Sequence, residues 1–361
     1  MTRPDRSLQS SLRWLQSKIL PLLLGSYLLA ALLPGPGLWL RACSLGTLPL
    51  PGGGLPLSLP TLLLALLLGN AALAVDTRQL RLLGSRPGAL ILGLVANTVV
   101  PLLFTFLLSG LAWIWHDLDE VQSILVGLAL IGAMPIAAAS TAWAGQAAGN
   151  PALSLGLVLS STLLSPLTTP WVFAAVARVT SGDLAEDLLT LAGGDTQRFL
   201  LAAVVLPSLL GLGLRVWLGP QRLQPYLPWL QLSSLTALLL INHLNAATAL
   251  PQMWTQPDWD LLALTLACAL LVCSGAFAAG AGLGRLLRAD RPERISLTFG
   301  LGMNNNGSGL VLAATALGDH PQVLFTIVVY NLLQQLIAAW LQGRLRPGGP
   351  PAAPPPGTRP S

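Results

Sequence analysis

The sequence predicts an all-α membrane protein: ten transmembrane helices in two inverted five-helix repeats, with the fourth and ninth helices broken and crossing. Composition is the first observation. The chain is 53% hydrophobic and 9% charged, with a mean hydropathy of +0.68, whereas about a quarter of a soluble domain is charged. The second is a recurrence of apolar stretches close to the roughly 20 residues that a bilayer crossing needs. The third is that two of these stretches, five apart in order, are interrupted by residues that weaken a helix.

The stretches cover 19–33, 59–75, 87–115, 124–149, 151–179, 199–218, 229–250, 261–287, 295–317 and 323–341. The first is short and reads either as a tilted span or as a re-entrant one. A ten-span membrane domain therefore occupies 19–346, after a cytoplasmic segment over 1–18. The tail over 347–361 is rich in Pro, Gly and Ala, with too few apolar groups to offset the entropy of ordering, and is expected to be disordered. Residues 34–60, rich in Gly, Pro and Leu, read as an external loop carrying an interfacial piece.

Loop charges agree with ten spans. Arg3, Arg6, Arg13 and Lys18, then Arg78, Arg81 and Arg86, then Arg215 and Arg222, then Arg285, Arg288, Arg291 and Arg294, then Arg344 and Arg346 all fall on one side. Asp117, Asp119, Glu120, Asp183, Glu186, Asp187, Asp195, Asp258 and Asp260 fall on the other. Short cytoplasmic loops collect Lys and Arg, so both termini are expected in the cytoplasm and the protein in the plasma (inner) membrane. The net charge of +5 and pI near 9.7 thus reflect topology, and nucleic acid is excluded as a partner. Cys43, Cys268 and Cys273 show neither disulfide nor metal spacing and read as packing residues. Trp113, Trp115, Trp229, Trp259 and Trp340 stand near span ends as interfacial anchors.

The fourth span breaks at Gly132-Ala133-Met134-Pro135, where proline removes a backbone donor and clashes with the preceding turn. Ser140 and Thr141 follow. The ninth carries Gly302-Met303-Asn304-Asn305-Asn306-Gly307-Ser308-Gly309. Polar, non-helical backbone survives at membrane depth only when buried in protein or lining a watery cavity. The two breaks are five spans apart in order, an odd offset, so the halves, about 19–179 and 199–341, enter the membrane in opposite senses. Inverted repeats of this kind place substrate and ion sites between discontinuous helices.

At these segments the chain resembles the sodium/bile acid symporter family. The resemblance rests on Met134-Pro135 with Ala139-Ser140-Thr141, Gly149-Asn150 with Ala152-Leu153-Ser154, Ser161-Thr162-Leu163 with Ser165-Pro166-Leu167, and Gly302-Met303-Asn304-Asn305, and it covers most of 59–341. Arg86-Pro87 and Pro101 in the third span are also similar. The resemblance implies ten spans in two inverted repeats and a sodium ion as coupling ion. It implies one sodium position at Ser140, Thr141 and Ser154, and a second at Asn304 with the carbonyls of Leu301 and Met303. Thr141 stands where the family usually has Asn, Val158 replaces a threonine ligand, and Ala96, beside Asn97, replaces a glutamine. Gly300 occupies the position of the family's shared glutamate, and no Asp or Glu lies inside any span. Sodium, protons through His243, or no coupling at all therefore remain open.

Asn304, Asn305 and Asn306, together with Asn242, His243 and Asn331, are the candidate substrate-binding residues, because polar side chains at membrane depth mark substrate paths. His243 reads either as a proton carrier or as a neutral imidazole bonded between helices. Asn331, Gln334 and Gln335 either line a cavity or bond neighbouring helices. Ser161, Thr162, Ser233 and Ser234 read as helix-to-helix bonds or bonds to the preceding turn. Nucleotide-binding loops, zinc-protease motifs and paired intramembrane carboxylates are absent from the sequence, so an enzyme is not expected. The expectation is a secondary transporter moving a small, bile acid-like or carboxylate organic anion through the lipid bilayer by alternating access. The competing readings are a proton-coupled or uncoupled carrier and a membrane ligand sensor.

Overall fold

The structure, a computed structural model, describes residues 18–50, 53–76, 87–255 and 257–346, with positions 12, 14, 15 and 78. Most of the expected cytoplasmic segment, the Pro-rich tail over 347–361, and Arg3, Arg6, Arg13, Arg81 and Arg86 lie outside the described residues.

Helices α1 (Ile19–Leu32) and α2 (Pro34–Ala42) meet at a 90° bend, because Pro34 cannot supply the amide that would continue α1. The expected loop over 34–60 is therefore structured. It contains α2 and an antiparallel hairpin, β1 (Ser44–Leu50) and β2 (Gly53–Ser58), so the chain is not purely helical. Helix α3 (Leu59–Leu73) starts where Ser58 Oγ accepts from the Thr61 amide at 3.4 Å. Next come α4 (Pro87–Ser109), α5 (Leu118–Gly132), α6 (Ala139–Gln146) and α7 (Pro151–Val176). Then α8 (Gly182–Leu191) and α9 (Gly194–Phe199) lead through a π-helical stretch, Leu200–Val205, into α10 (Leu206–Leu223). The chain closes with α11 (Leu227–Thr255), α12 (Trp259–Leu286), α13 (Arg291–Gly302), α14 (Asn306–Ala316) and α15 (Pro321–Leu345).

Among the described residues, five helical runs are long and apolar enough to cross a membrane, or six if α1 and α2 are taken as one broken span. One run, Gly194–Thr255, is 62 residues long, more than twice the length of a single crossing. Gly219, at φ 73°, interrupts it in a backbone region that favours glycine.

Two helix starts lie earlier than the sequence indicated. Asp117, Asp119 and Glu120 were expected in a loop. Instead Asp117 caps α5, its Oδ1 accepting from the Asp119 amide at 2.9 Å, and the two acids sit in the first turn, where they complement the positive helix end. Asp290 likewise caps α13, accepting from the Glu293 amide at 2.9 Å, so Arg291 and Arg294 belong to the helix. Outside the span, burial foremost holds the Glu120 carboxyl above the usual range. The Trp115 indole, donating to it at 2.8 Å, works the other way. The tryptophan anchors sit on the surface, except half-buried Trp115, and Cys268 and Cys273 are buried and free.

The helices pack in two groups. One holds α4, α5, α6, α7, α12, α13 and α15; the other holds α1, α2, α3, α10 and α11. Helix α14 touches both groups, α5 and α15 in one and α3 and α11 in the other, and the groups also meet directly where α11 and α1 touch α15. Within the first group, α12 and α13 approach closely through Gly280. A Cβ there would overlap the Leu297 carbonyl oxygen and the Thr298 backbone, while one at Gly282 would meet nothing within 4 Å. Gly280→Ala should therefore cost about 1–3 kcal/mol through overpacking and lower the melting temperature of the purified protein, with Gly282→Ala unchanged. Equal melting temperatures for the two variants would contradict this packing.

Candidate ion and substrate site

Both expected breaks are present, and they meet. Non-helical backbone separates α5 from α6 and α13 from α14. Ile136 and Asn304 pair across the two breaks as an antiparallel bridge. The Ala137 amide donates to the Met303 carbonyl at 2.8 Å, and the Asn305 amide to the Pro135 carbonyl at 2.8 Å. These bonds satisfy peptide groups that broken helices expose inside the protein. Side chains complete the crossing. Gln334 of α15 accepts from the Asn304 amide at 3.0 Å and donates to its carbonyl at 3.2 Å. Asn304 Nδ2 donates to the Ile131 carbonyl at 2.9 Å, and the Ile136 amide donates to Ser161 Oγ at 3.0 Å.

The break in the second half is shorter than the sequence indicated. Asn306 to Gly309 are helical, forming the first turn of α14, because Asn305 caps that helix by accepting from the Ser308 amide at 3.2 Å. Asparagine is among the best residues for this position.

The crossing leaves oxygens free. The last carbonyls of a helix lack intrahelical donors. The amides of 304, 305 and 306, which would close on Gly300, Leu301 and Gly302, donate instead to Gln334, Pro135 and Asn304. Ser140 Oγ and Asn304 Oδ1 are buried and have no hydrogen-bond partner in the protein, and Asn97 Oδ1 is in the same condition. Asn97 shares a face of α4 with Gly93, which abuts Leu157 and Leu297, and with Pro101, which abuts Gly132 just before the first break. An all-oxygen donor set of this kind suits a hard cation.

The resemblance assigned six residues to two sodium positions, Ser140, Thr141 and Ser154 to one and Asn304 with the carbonyls of Leu301 and Met303 to the other. Met303 and Asn304 lie in the crossing, beside the start of α6 that carries Ser140. Leu301 lies in the last turn of α13. Thr141 is half-buried and donates to the Ala138 carbonyl at 2.8 Å. Ser154 Oγ donates to Ser296 Oγ at 2.8 Å, and Ser296 donates to the Asn150 carbonyl at 2.8 Å, which ties α7 to α13. The positions of the other family ligands are dry. Val158, Leu157, Leu297 and Leu301 form an apolar cluster with Ala96 packed against it, and a Cβ at Gly300 would stand 3.0 Å from Leu157 Cδ1.

The candidate substrate residues divide as well. Asn306, Asn331 and Asn242 join in one buried network with Tyr27, a residue the sequence did not single out. His243 stays outside it, half-buried, with Nδ1 3.3 Å from the Ser26 carbonyl, as a bond between helices requires. Asn305 serves as the α14 cap. Ser161 and Thr162 bond to the Val158 carbonyl at 3.0 and 2.7 Å, and Ser233 to that of Leu230 at 3.0 Å.

The sequence is similar to known proteins over much of its length. A model of the Sodium Bile acid symporter family matches residues 61–254. The uncharacterized protein YbaS of Bacillus subtilis (strain 168) is 28% identical over 215 residues, which is 60% of this chain and 66% of that protein. The uncharacterized sodium-dependent transporter YocS of the same strain is 25% identical over 292 residues, 79% of this chain and 84% of that protein.

Gln334→Leu should strand two buried main-chain groups of Asn304, at about 1–3 kcal/mol each. The melting temperature of this variant should fall well below that of Gln335→Leu, a neighbouring half-buried position; indistinguishable transitions would show that Gln334 does not hold the crossing.

Proposed function

The chain belongs to the sodium bile acid symporter family, and on that premise we propose that it is a sodium-coupled carrier of a small organic anion working by alternating access. The observation that carries this proposal is the antiparallel crossing of two broken helices beside buried oxygens that lack partners. A desolvated, unpartnered oxygen costs about 1–3 kcal/mol, and a bound cation removes that cost. Sodium is the cation in keeping with the family and with the printed name of YocS.

In this proposal the carrier has ten spans in two inverted repeats. The helix grouping supports this. The first group draws α4 to α7 from one half and α12, α13 and α15 from the other; the second draws α1 to α3 and α10 with α11. The cation rests on Ser140 and Asn304 with the carbonyls of Leu301 and Met303. Thr141 and Ser154 frame this site from α6 and α7. The anion lies at the first turn of α14, where Asn304, Asn305 and Asn306 surround a helix start whose amides and partial positive charge favour negative groups. One group of helices rocking against the other opens the site to each side in turn. Both termini face the cytoplasm of the plasma membrane. The dry surroundings of Gly300 and Val158 favour a single cation over two.

Uptake of a radiolabelled carboxylate into proteoliposomes should rise with an inward sodium gradient. Ser140→Ala and Asn304→Ala should each raise the sodium concentration for half-maximal uptake at least tenfold, the equivalent of about 1.4 kcal/mol. Uptake indifferent to sodium in the unmutated protein would favour an uncoupled carrier, and ligand binding without flux would favour a sensor. Gly300→Glu combined with Leu157→Ala, which clears the space the new side chain needs, should steepen the sodium dependence. An unchanged sodium response in that double variant would refute the correspondence of Gly300 with the family's shared glutamate.

A further inference from the structure

Four side chains from four helices close a polar cluster inside the protein. The Tyr27 hydroxyl of α1 donates to Asn242 Oδ1 of α11 at 2.9 Å and accepts from Asn331 Nδ2 of α15 at 2.7 Å. Asn331 Nδ2 also donates to Asn242 Oδ1 at 2.9 Å, and Asn306 Nδ2 of α14 donates to Asn331 Oδ1 at 3.2 Å. All four residues are at most 8% exposed. The cluster bridges the two helix groups, because α1 and α11 belong to one and α15 to the other. Asn306 Oδ1 is buried without a partner, so the network as it stands does not satisfy itself completely.

We propose that Tyr27 is a substrate-contacting residue, whose hydroxyl joins the Asn331 and Asn306 amides in binding the carboxylate of the transported anion. This rests on the carrier reading above and adds to it the group from the first helix that reads the substrate. The three donors are neutral, and they now donate to acceptors that are themselves side-chain oxygens. A carboxylate entering between the helix groups offers two stronger acceptors to the same donors. Exchange of the Tyr27–Asn242, Asn331–Tyr27, Asn331–Asn242 and Asn306–Asn331 bonds for bonds to the substrate leaves each donor group with an acceptor while it separates α1 and α11 from α15. No charged residue takes part in the cluster, so an anion held there has its charge balanced by the cation at the crossing, three residues along α15 where Gln334 holds Asn304. Neutral recognition beside a cation site makes anion affinity depend on sodium.

The test uses the full chain in proteoliposomes, with radiolabelled cholate and radiolabelled pyruvate as probes, and thermal stabilisation of the purified protein by each. Tyr27→Phe keeps the buried ring and removes the hydroxyl. It should raise KM for the transported probe about tenfold, as loss of one hydrogen bond to a charged group does. The maximal rate per folded protein should stay within about twofold, and the sodium concentration for half-maximal uptake, measured with substrate saturating for each variant, should not move. Asn331→Ala should show the same change in KM and covers the case in which the phenylalanine variant folds poorly. A lower melting temperature with unchanged KM in both variants would make the cluster a purely structural clamp and overturn the inference, leaving the carrier standing. An unmutated protein that neither transports nor is stabilised by either carboxylate would overturn both.

Discussion

Two main-chain hydrogen bonds, from Ala137 to Met303 and from Asn305 to Pro135, are the constraint on which the rest of the site depends. A helix that stops inside an apolar region exposes carbonyls at one side of the break and amides at the other. Two such breaks placed antiparallel satisfy part of each other's deficit. The satisfaction is incomplete, and the remainder is what matters. The pairing uses the amide that the Leu301 carbonyl would need, and Ser140 Oγ and Asn304 Oδ1 are left without partners. A fold that merely needed to be stable would have continued both helices. This one holds oxygens in a dry interior at a cost that a cation can remove.

The surroundings of the crossing are divided. Toward α4, α7 and the body of α13, the side chains are Leu157, Val158, Leu297 and Leu301, and Gly300 leaves no carboxylate. Toward α1, α11 and α15, the side chains are amides and one phenol. The chain therefore separates a neutral polar side from an apolar one, with no ionised side chain in either cluster. In the proposed carrier, charge within the site arrives with its ligands, and opposite charges arriving together cost less to bury than either alone. Under that proposal, this is a physical basis for coupling without an acidic side chain in either cluster.

Much of this was legible in the sequence because the bilayer restricts what a chain can do. Pro135 within one apolar run and Asn304 to Asn306 within another had few structural uses other than a break, and the structure places them in contact. Tyr27 was not legible. A single tyrosine in a leucine-rich segment carries no pattern, and only the fold brings α1 against Asn242 and Asn331. The pairing of Gln334 with Asn304 was equally hidden, since glutamines of α15 read either as cavity lining or as bonds between helices. The hairpin over 44–58 was lost in a segment whose Gly and Pro content suggested a loop. The starts of α5 and α13 were missed because Asp117 and Asp290 look like loop residues and act as caps, and Asn305 shortened the second break for the same reason.

The most direct measurement of the central claim is equilibrium binding of radioactive sodium to the purified protein, without substrate and without a membrane gradient. Saturable binding is expected that potassium does not displace and that disappears when Ser140 and Asn304 are both replaced by alanine in a protein that still unfolds cooperatively. Absence of saturable binding, or binding that survives in the folded double variant, would contradict the assignment of the crossing as a cation site.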